Sequence, residues 1–193
     1  MVRVLIIDND DSFTYNLRQL VEEAEIQTEE VIVISHKDVT LDDVAPFSHI
    51  IFSPGPSLPK DHPMMFEILE AFEDTKVILG VCLGHQAIGA FYGAKLSQLK
   101  QVVHGQQREI IWDSTTHPKL SLPSPSIVGL YHSWFIDSIP EAMPLHITAA
   151  DPTGRIMAIE HHTFAITGVQ FHPESMMTEQ GDLFINKWLS QTV

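Results

Sequence analysis

In the first half of the chain, apolar residues fall in short unbroken runs separated by stretches with helical spacing. Residues 2–7 are nearly all apolar, as a strand covered on both faces requires. Phe13, Leu17, Leu20, Val21 and Ala24 then recur at offsets of 4, 7, 8 and 11, the apolar stripe of a helix. Asp11 or Ser12 is placed to cap it. Residues 31–34, His49–Phe52 and Val77–Val81 read as further strands, with helices over Met64–Phe72 and 83–92 around them. Alternation of this kind predicts a parallel sheet with helices on both faces.

The pattern changes in the second half. Residues 109–112, 127–130, 146–149, 156–160 and 164–169 are strand-like, with turn residues between them and little helical spacing. Antiparallel hairpins on one flank of the parallel sheet account for this. The amphipathic stretch Gly181–Leu189 reads as a closing helix, and 115–125, rich in Ser, Thr and Pro, as an exposed loop. The expectation is an α/β fold in one domain over 1–193: a mostly parallel central sheet with helices on both faces and a small antiparallel flanking sheet.

Length supports that reading, since 193 residues suit a single core. No apolar run approaches the roughly 20 residues that span a bilayer. The apolar N-terminus is too short for a signal peptide and runs into Asp8, Asp10 and Asp11, so a cytoplasmic protein is expected. A net charge of −14 repels nucleic acid and anionic membranes. One cysteine rules out a disulfide within the chain and leaves no thiolate metal site, so neither metal nor cofactor is expected.

That cysteine has an unusual setting. Gly80-Val81-Cys82-Leu83-Gly84 follows one apolar run and precedes a helical one: strand, sharp turn, helix. Such an elbow holds its central residue in a strained conformation, with glycines on either side leaving room. The helix N-terminus beneath the side chain favours a thiolate, and the Leu83 N–H would point at an oxyanion. The bland alternative is a structural turn around a small buried hydrophobe.

A thiol nucleophile needs a base, and the base an orienting group. Eleven histidines make a choice by count worthless. His172 stands out at the end of an apolar strand, with Glu174 two residues on, where strand alternation would bring both side chains to one face. A surface His-Glu pair explains the same residues equally well. Ser53-Pro54-Gly55-Pro56 forms a rigid loop at a strand's carboxyl edge, where Gly55 can offer a second oxyanion donor. Alone it is an ordinary Pro-Gly turn.

Together, in this order, these motifs resemble class I (triad-type) glutamine amidotransferases over nearly the whole chain. Asp8-Asn9 with the segment from Asp11 to Leu17, His104-Gly105 and Tyr131-His132-Ser133 add to the resemblance. It is nearest to the glutaminase subunits of anthranilate synthase and aminodeoxychorismate synthase. The resemblance implies a flavodoxin-like sheet and a role for each residue. Cys82 would attack the glutamine amide to give a γ-glutamyl thioester and ammonia. His172 would act as base and acid, oriented by Glu174, and the N–H groups of Gly55 and Leu83 would form the oxyanion hole. Gln86 would help hold glutamine, and the backbone around Ser133 and Trp134 its α-amino and α-carboxylate groups. The partner implied is a chorismate-using synthase subunit that receives the ammonia. Chemistry agrees, because ammonia released into neutral water becomes ammonium and loses its nucleophilicity.

Three positions depart from the family's usual pattern: Asp10 where Tyr is common, Leu130 where Arg is common, and Trp134 where Leu is usual. None belongs to the triad. Three other readings stand beside that of a glutaminase partnered by a synthase. A Cys-His hydrolase would leave the N-terminal signature unexplained. A glutaminase of the carbamoyl phosphate or GMP synthesis type would differ in that signature. A non-catalytic scaffold would be expected to have lost one of Cys, His and Glu.

Overall fold

The computed structural model describes residues 2–113, 115, 118 and 120–193. Five strands run parallel: β1 (Val2–Asp8), β2 (Thr28–Ser35), β3 (His49–Phe52), β4 (Val77–Val81) and β11 (Ile166–Val169). Their order is β2-β1-β3-β4-β11, with the chain reversing direction of travel between β1 and β3. In open sheets of this kind the crevice at the carboxyl ends near that reversal is the ligand site.

Alternation along these strands divides the core in two. Val4 and Ile6 of β1, Ile51 of β3 and Leu79 of β4 face one side. There they meet Leu17 and Val21 of helix α1 (Thr14–Glu22) and Phe184, Ile185 and Trp188 of the last helix, α5 (Gly181–Leu189). Leu5 and Ile7, Ile50 and Phe52, and Ile78 face the other. Those pack on α3 (Met64–Phe72) and α4 (Leu83–Phe91) through Met65, Ile68, Leu83, Ala87 and Ile88. A strand buried on both faces has no polar side to show, which is why its sequence is continuously apolar.

The antiparallel strands extend the same sheet. β10 (Ile156–His161), β9 (Leu145–Ala150), β6 (Gln106–Trp112) and β7 (Ser126–Leu130) continue outward from β11 in that order. The separate small sheet pairs β5 (Lys95–Gln98) with β8 (Trp134–Ser138).

Several expectations need correction. The sequence reading contains neither β5 nor β8, nor the one-turn helix α2 (Leu41–Val44), which a Thr40–Asp43 capping box holds. β6 begins three residues before 109, and β11 begins at Ile166 rather than 164. Helix α1 stops at Glu22, so Ala24 packs against the core from beyond the helix. Its boundary residue is Phe13, whose N–H is held at 2.8 Å by the Asp11 carboxylate; Ser12 takes no part. The 115–125 segment lies partly outside the described residues. Within it, Leu120 and Leu122 are buried in the core, so it is not simply an exposed loop.

Candidate active site

Cys82 follows β4 directly and stands at the N-terminus of α4 with φ +52°, a conformation that side-chain-bearing residues rarely adopt. The flanking glycines permit it. A Cβ on Gly80 would lie 2.4 Å from the Gly84 carbonyl, and one on Gly84 would lie 2.5 Å from the Phe52 carbonyl oxygen. Strand and helix therefore approach more closely than any side chain allows.

β11 lies beside β4 with Val169 opposite Val81, and the Cys82 N–H donates to the Val169 carbonyl at 2.8 Å. Three residues further on is His172, 2% exposed. Its Nδ1 is 2.7 Å from Glu174 Oε1, and the Glu174 side chain is itself buried. The pairing predicted from strand alternation exists for another reason. β11 has ended, and His172–Ser175 forms a turn closed by the Ser175 N–H on the His172 carbonyl at 3.2 Å, with Pro173 in its second position.

Electrostatics single out this histidine. Burial pushes His49 down to about 4 and His85 down to about 3, and lowers His62 and His132 as well. His172 is subject to the same burial, yet the Glu174 charge, the neighbouring Cys82 sulfur and the hydrogen bond to Glu174 outweigh it. The ring is held well above the ordinary histidine value. Its Nε2 contact with the cysteine sulfur falls short of a full hydrogen bond. Such contacts are commonly loose until substrate tightens them. Phe13 and Tyr131 flank the ring, with centroids 5.5 and 4.9 Å away, so the N-terminal signature and the 131–133 segment both pack on His172.

A cavity of about 630 Å³ opens over the cysteine. Cys82, Gly55, Leu83, Gln86, Ser133 and Trp134, all expected at the site, line it. Neither the Gly55 nor the Leu83 N–H has a hydrogen-bond acceptor among the described residues. Gly55 is fixed in place because a Cβ there would strike the Asn9 carbonyl at 2.6 Å and Leu83 at 2.7 Å. Asn9 in turn clasps this loop, its N–H donating to Ser53 Oγ and its Nδ2 to the Ser53 carbonyl, at 2.9 and 3.0 Å. The carbonyls of Ser133 and Trp134 are already engaged, by the Leu99 N–H at 2.8 Å and by Gln86 Nε2 at 2.7 Å.

The unusual residues fall in three different places. Asp10 sits at the cavity rim with φ +64° and binds Lys37 Nζ at 2.6 Å and His36 Nε2 at 3.3 Å. The Lys37 hydrogen bond holds its carboxyl below the usual value. Leu130 is core, 2% exposed. Trp134 contributes its backbone carbonyl to the site.

Two residues at the site escaped the sequence reading. Gln170, fully buried, donates from Nε2 to Cys82 Sγ at 3.5 Å. Thr178 donates to the His172 carbonyl at 2.6 Å and accepts from the Gly129 N–H at 3.0 Å, tying His172 to β7. The signal available for Gln170 was an amide between Val169 and Phe171: a polar side chain in an apolar run has to find buried partners.

Known proteins bear on this arrangement. The family model for glutamine amidotransferase class-I matches residues 5–192. The chain is 41% identical over 190 residues to anthranilate synthase component 2 of Lactococcus lactis, covering 97% of this chain and 94% of that protein. It is 36% identical over 190 residues to aminodeoxychorismate/anthranilate synthase component 2 of Bacillus subtilis, covering 96% and 95%. The solved structure of a Thermoplasma acidophilum protein described as part of GMP synthase superposes with a TM-score of 0.84 at 19% identity. The match covers 98% of this chain and 92% of that one, and this likeness concerns the fold alone.

Proposed function

Since the chain belongs to the class I glutamine amidotransferases, we propose that it hydrolyses glutamine through a Cys82 thioester and passes the ammonia to a chorismate-using synthase subunit. The observation that carries this is the union of a positive-φ cysteine at the elbow with a buried His172–Glu174 pair in the turn just beyond the adjoining strand.

The steps follow from the placement of the groups. The Cys82 thiol gives its proton to His172, and the sulfur attacks the side-chain carbonyl carbon of glutamine. The C=O electron pair moves onto oxygen, and the Gly55 and Leu83 N–H groups receive that charge. As the C–N bond breaks, His172 returns the proton to the departing nitrogen, so that ammonia leaves and a γ-glutamyl thioester remains. Water then gives a proton to His172 and its hydroxyl to the acyl carbon, and glutamate departs as the sulfur recovers its proton. Glu174 keeps the imidazole oriented and supports its charged form throughout. Gln86 and the 133–134 segment hold the amino-acid end of the substrate. The partner assignment rests on relatives that match over nearly their whole length and are named for anthranilate and aminodeoxychorismate synthesis.

The test is glutamate release from glutamine by the purified chain, alone and with anthranilate or aminodeoxychorismate synthase large subunits. Turnover that rises with one of them and vanishes in Cys82→Ser, while ammonia-dependent synthesis persists, is the expected result. Loss of both syntheses in Cys82→Ser, or no glutamate with either partner, would overturn the proposal.

A further inference from the structure

One buried amide remains unaccounted for by the steps above. Gln170 has no exposure, sits on the residue after β11, and touches the sulfur. Its orientation can be deduced. The Trp134 carbonyl can only accept, so the Gln86 atom 2.7 Å away must be its amide nitrogen. That NH₂ has a second hydrogen, and its next neighbour, at 3.3 Å, must accept it; this atom is therefore Gln170 Oε1. With its oxygen turned to Gln86, Gln170 has only its NH₂ to present to Cys82 Sγ at 3.5 Å. The same carbonyl accepts from His132 Nδ1 at 2.9 Å, which anchors the start of the chain of bonds.

We propose that Gln170 is a further catalytic residue, donating a hydrogen bond to the Cys82 sulfur and held to that task by Gln86 and the Trp134 carbonyl. The inference rests on Cys82 being the nucleophile. His172 takes the thiol proton, and the sulfur it leaves carries negative charge on a residue only 7% exposed. Helix α4 and the Gln170 NH₂ are the donors aimed at that charge, because His172 is committed to moving the proton. Gln86 thus acts twice: it lines the cavity where glutamine binds, and it fixes the amide that supports the sulfur. Cys82 and Trp134 line one cavity, so the bonds run along its wall from the substrate-holding segment to the nucleophile.

The single cysteine makes a direct test possible, because alkylation by iodoacetamide reports Cys82 alone. The reagent reaches the sulfur through the cavity that Cys82 lines, and it needs neither bound glutamine nor a synthase. At pH 6, below the ordinary thiol range, Gln170→Met should be alkylated about threefold to tenfold more slowly than the native chain, with its circular dichroism unchanged. Glutaminase kcat/KM should fall about tenfold alongside. Gln86→Leu leaves Gln170 in place but frees its amide to turn. It should slow alkylation by a smaller factor, and it keeps the proposal testable if Gln170→Met does not fold. Native alkylation rates in either folded variant would overturn the role of Gln170 and leave the nucleophile standing. A native chain no faster than glutathione at pH 6 would remove the nucleophile itself, and the inference with it.

Discussion

Glu174 reaches back across Pro173 to hold Nδ1 of His172 at 2.7 Å, and it does so from inside the protein. The turn that brings them together belongs to the chain between the last sheet strand and α5, so the pair is set by local geometry. Replacing His172 with Ala should cost at least about 10²-fold in glutaminase turnover, the usual loss of a general base. Steady-state glutamate release decides it; near-normal turnover would remove His172 from the mechanism.

Glu174→Gln keeps the shape and removes the charge. His172 lies above its ordinary value because the carboxylate and the sulfur outweigh burial, so the variant's imidazolium should lose its proton at lower pH. The expected result is a lower kcat, with the limb of the kcat/KM pH profile that reports His172 shifted to lower pH. An unmoved limb would mean that Glu174 does not set the charge state of the base.

Thr178 ties the backbone of His172 to β7 through its hydroxyl. Thr178→Val leaves the His172 carbonyl and the Gly129 N–H without that partner and should cost about 1–3 kcal/mol of stability. Thr178→Ser keeps the hydroxyl and should restore most of it. Thermal unfolding of the two variants separates the hydrogen bonds from the methyl packing.

Gly80→Ala tests the elbow. The added methyl would meet the backbone of Gly84 and His85 at 2.4 and 2.7 Å, so α4 must shift, at a cost of about 1–3 kcal/mol or more. A drop of several degrees in Tm is expected, together with loss of glutaminase activity as Cys82 moves. A fully active, equally stable variant would show that strand and helix do not need this close approach.

Buried neutral histidines should govern acid stability. His49 and His85 are depressed by burial to about 4 and about 3, while the unfolded chain protonates them near the ordinary 6.5. Between those values the unfolded state binds more protons, so stability falls as pH drops below 6.5, by up to about 1.4 kcal/mol per pH unit for each group. His172 has the opposite sign: its contribution is present below 6.5 and is lost as pH rises through its elevated folded value. His49→Leu should flatten the acid slope of urea unfolding measured from pH 7 to 4.5; an unchanged slope would assign acid loss to other groups.

The sequence was most legible where burial was two-sided. β1, β3 and β4 are nearly all apolar because both core layers press on them, and the helix stripes between them follow from the same layers. β5 and β8 gave little sign: Lys95-Leu96-Ser97-Gln98 is largely polar and pairs only with a half-exposed strand. Helix α2 is a single turn fixed by its cap, too short for any periodicity. Leu120 and Leu122 were hidden among Ser and Pro, whose turn chemistry masked their burial. At the site, the glycines around Cys82 could be read because their spacing reflects backbone contact. The partners of Gln170 and the Thr178–Gly129 bond could not, because they join sequence positions dozens of residues apart.

The position of β11 in the sheet sets an order on the birth of the enzyme. The strand that delivers the base slots between β4, from the first half of the chain, and the hairpin arm of the second half. Cys82 is synthesised early, but His172 and Glu174 reach it only once the whole antiparallel arm has been synthesised and the chain has come back to the middle of the sheet. Pairings between such distant segments form slowly, because loop closure must come first. Ribosome-bound and half-folded chains therefore carry Cys82 without the His172–Glu174 pair, and under the proposed mechanism they would consume no glutamine until the last parallel strand is seated.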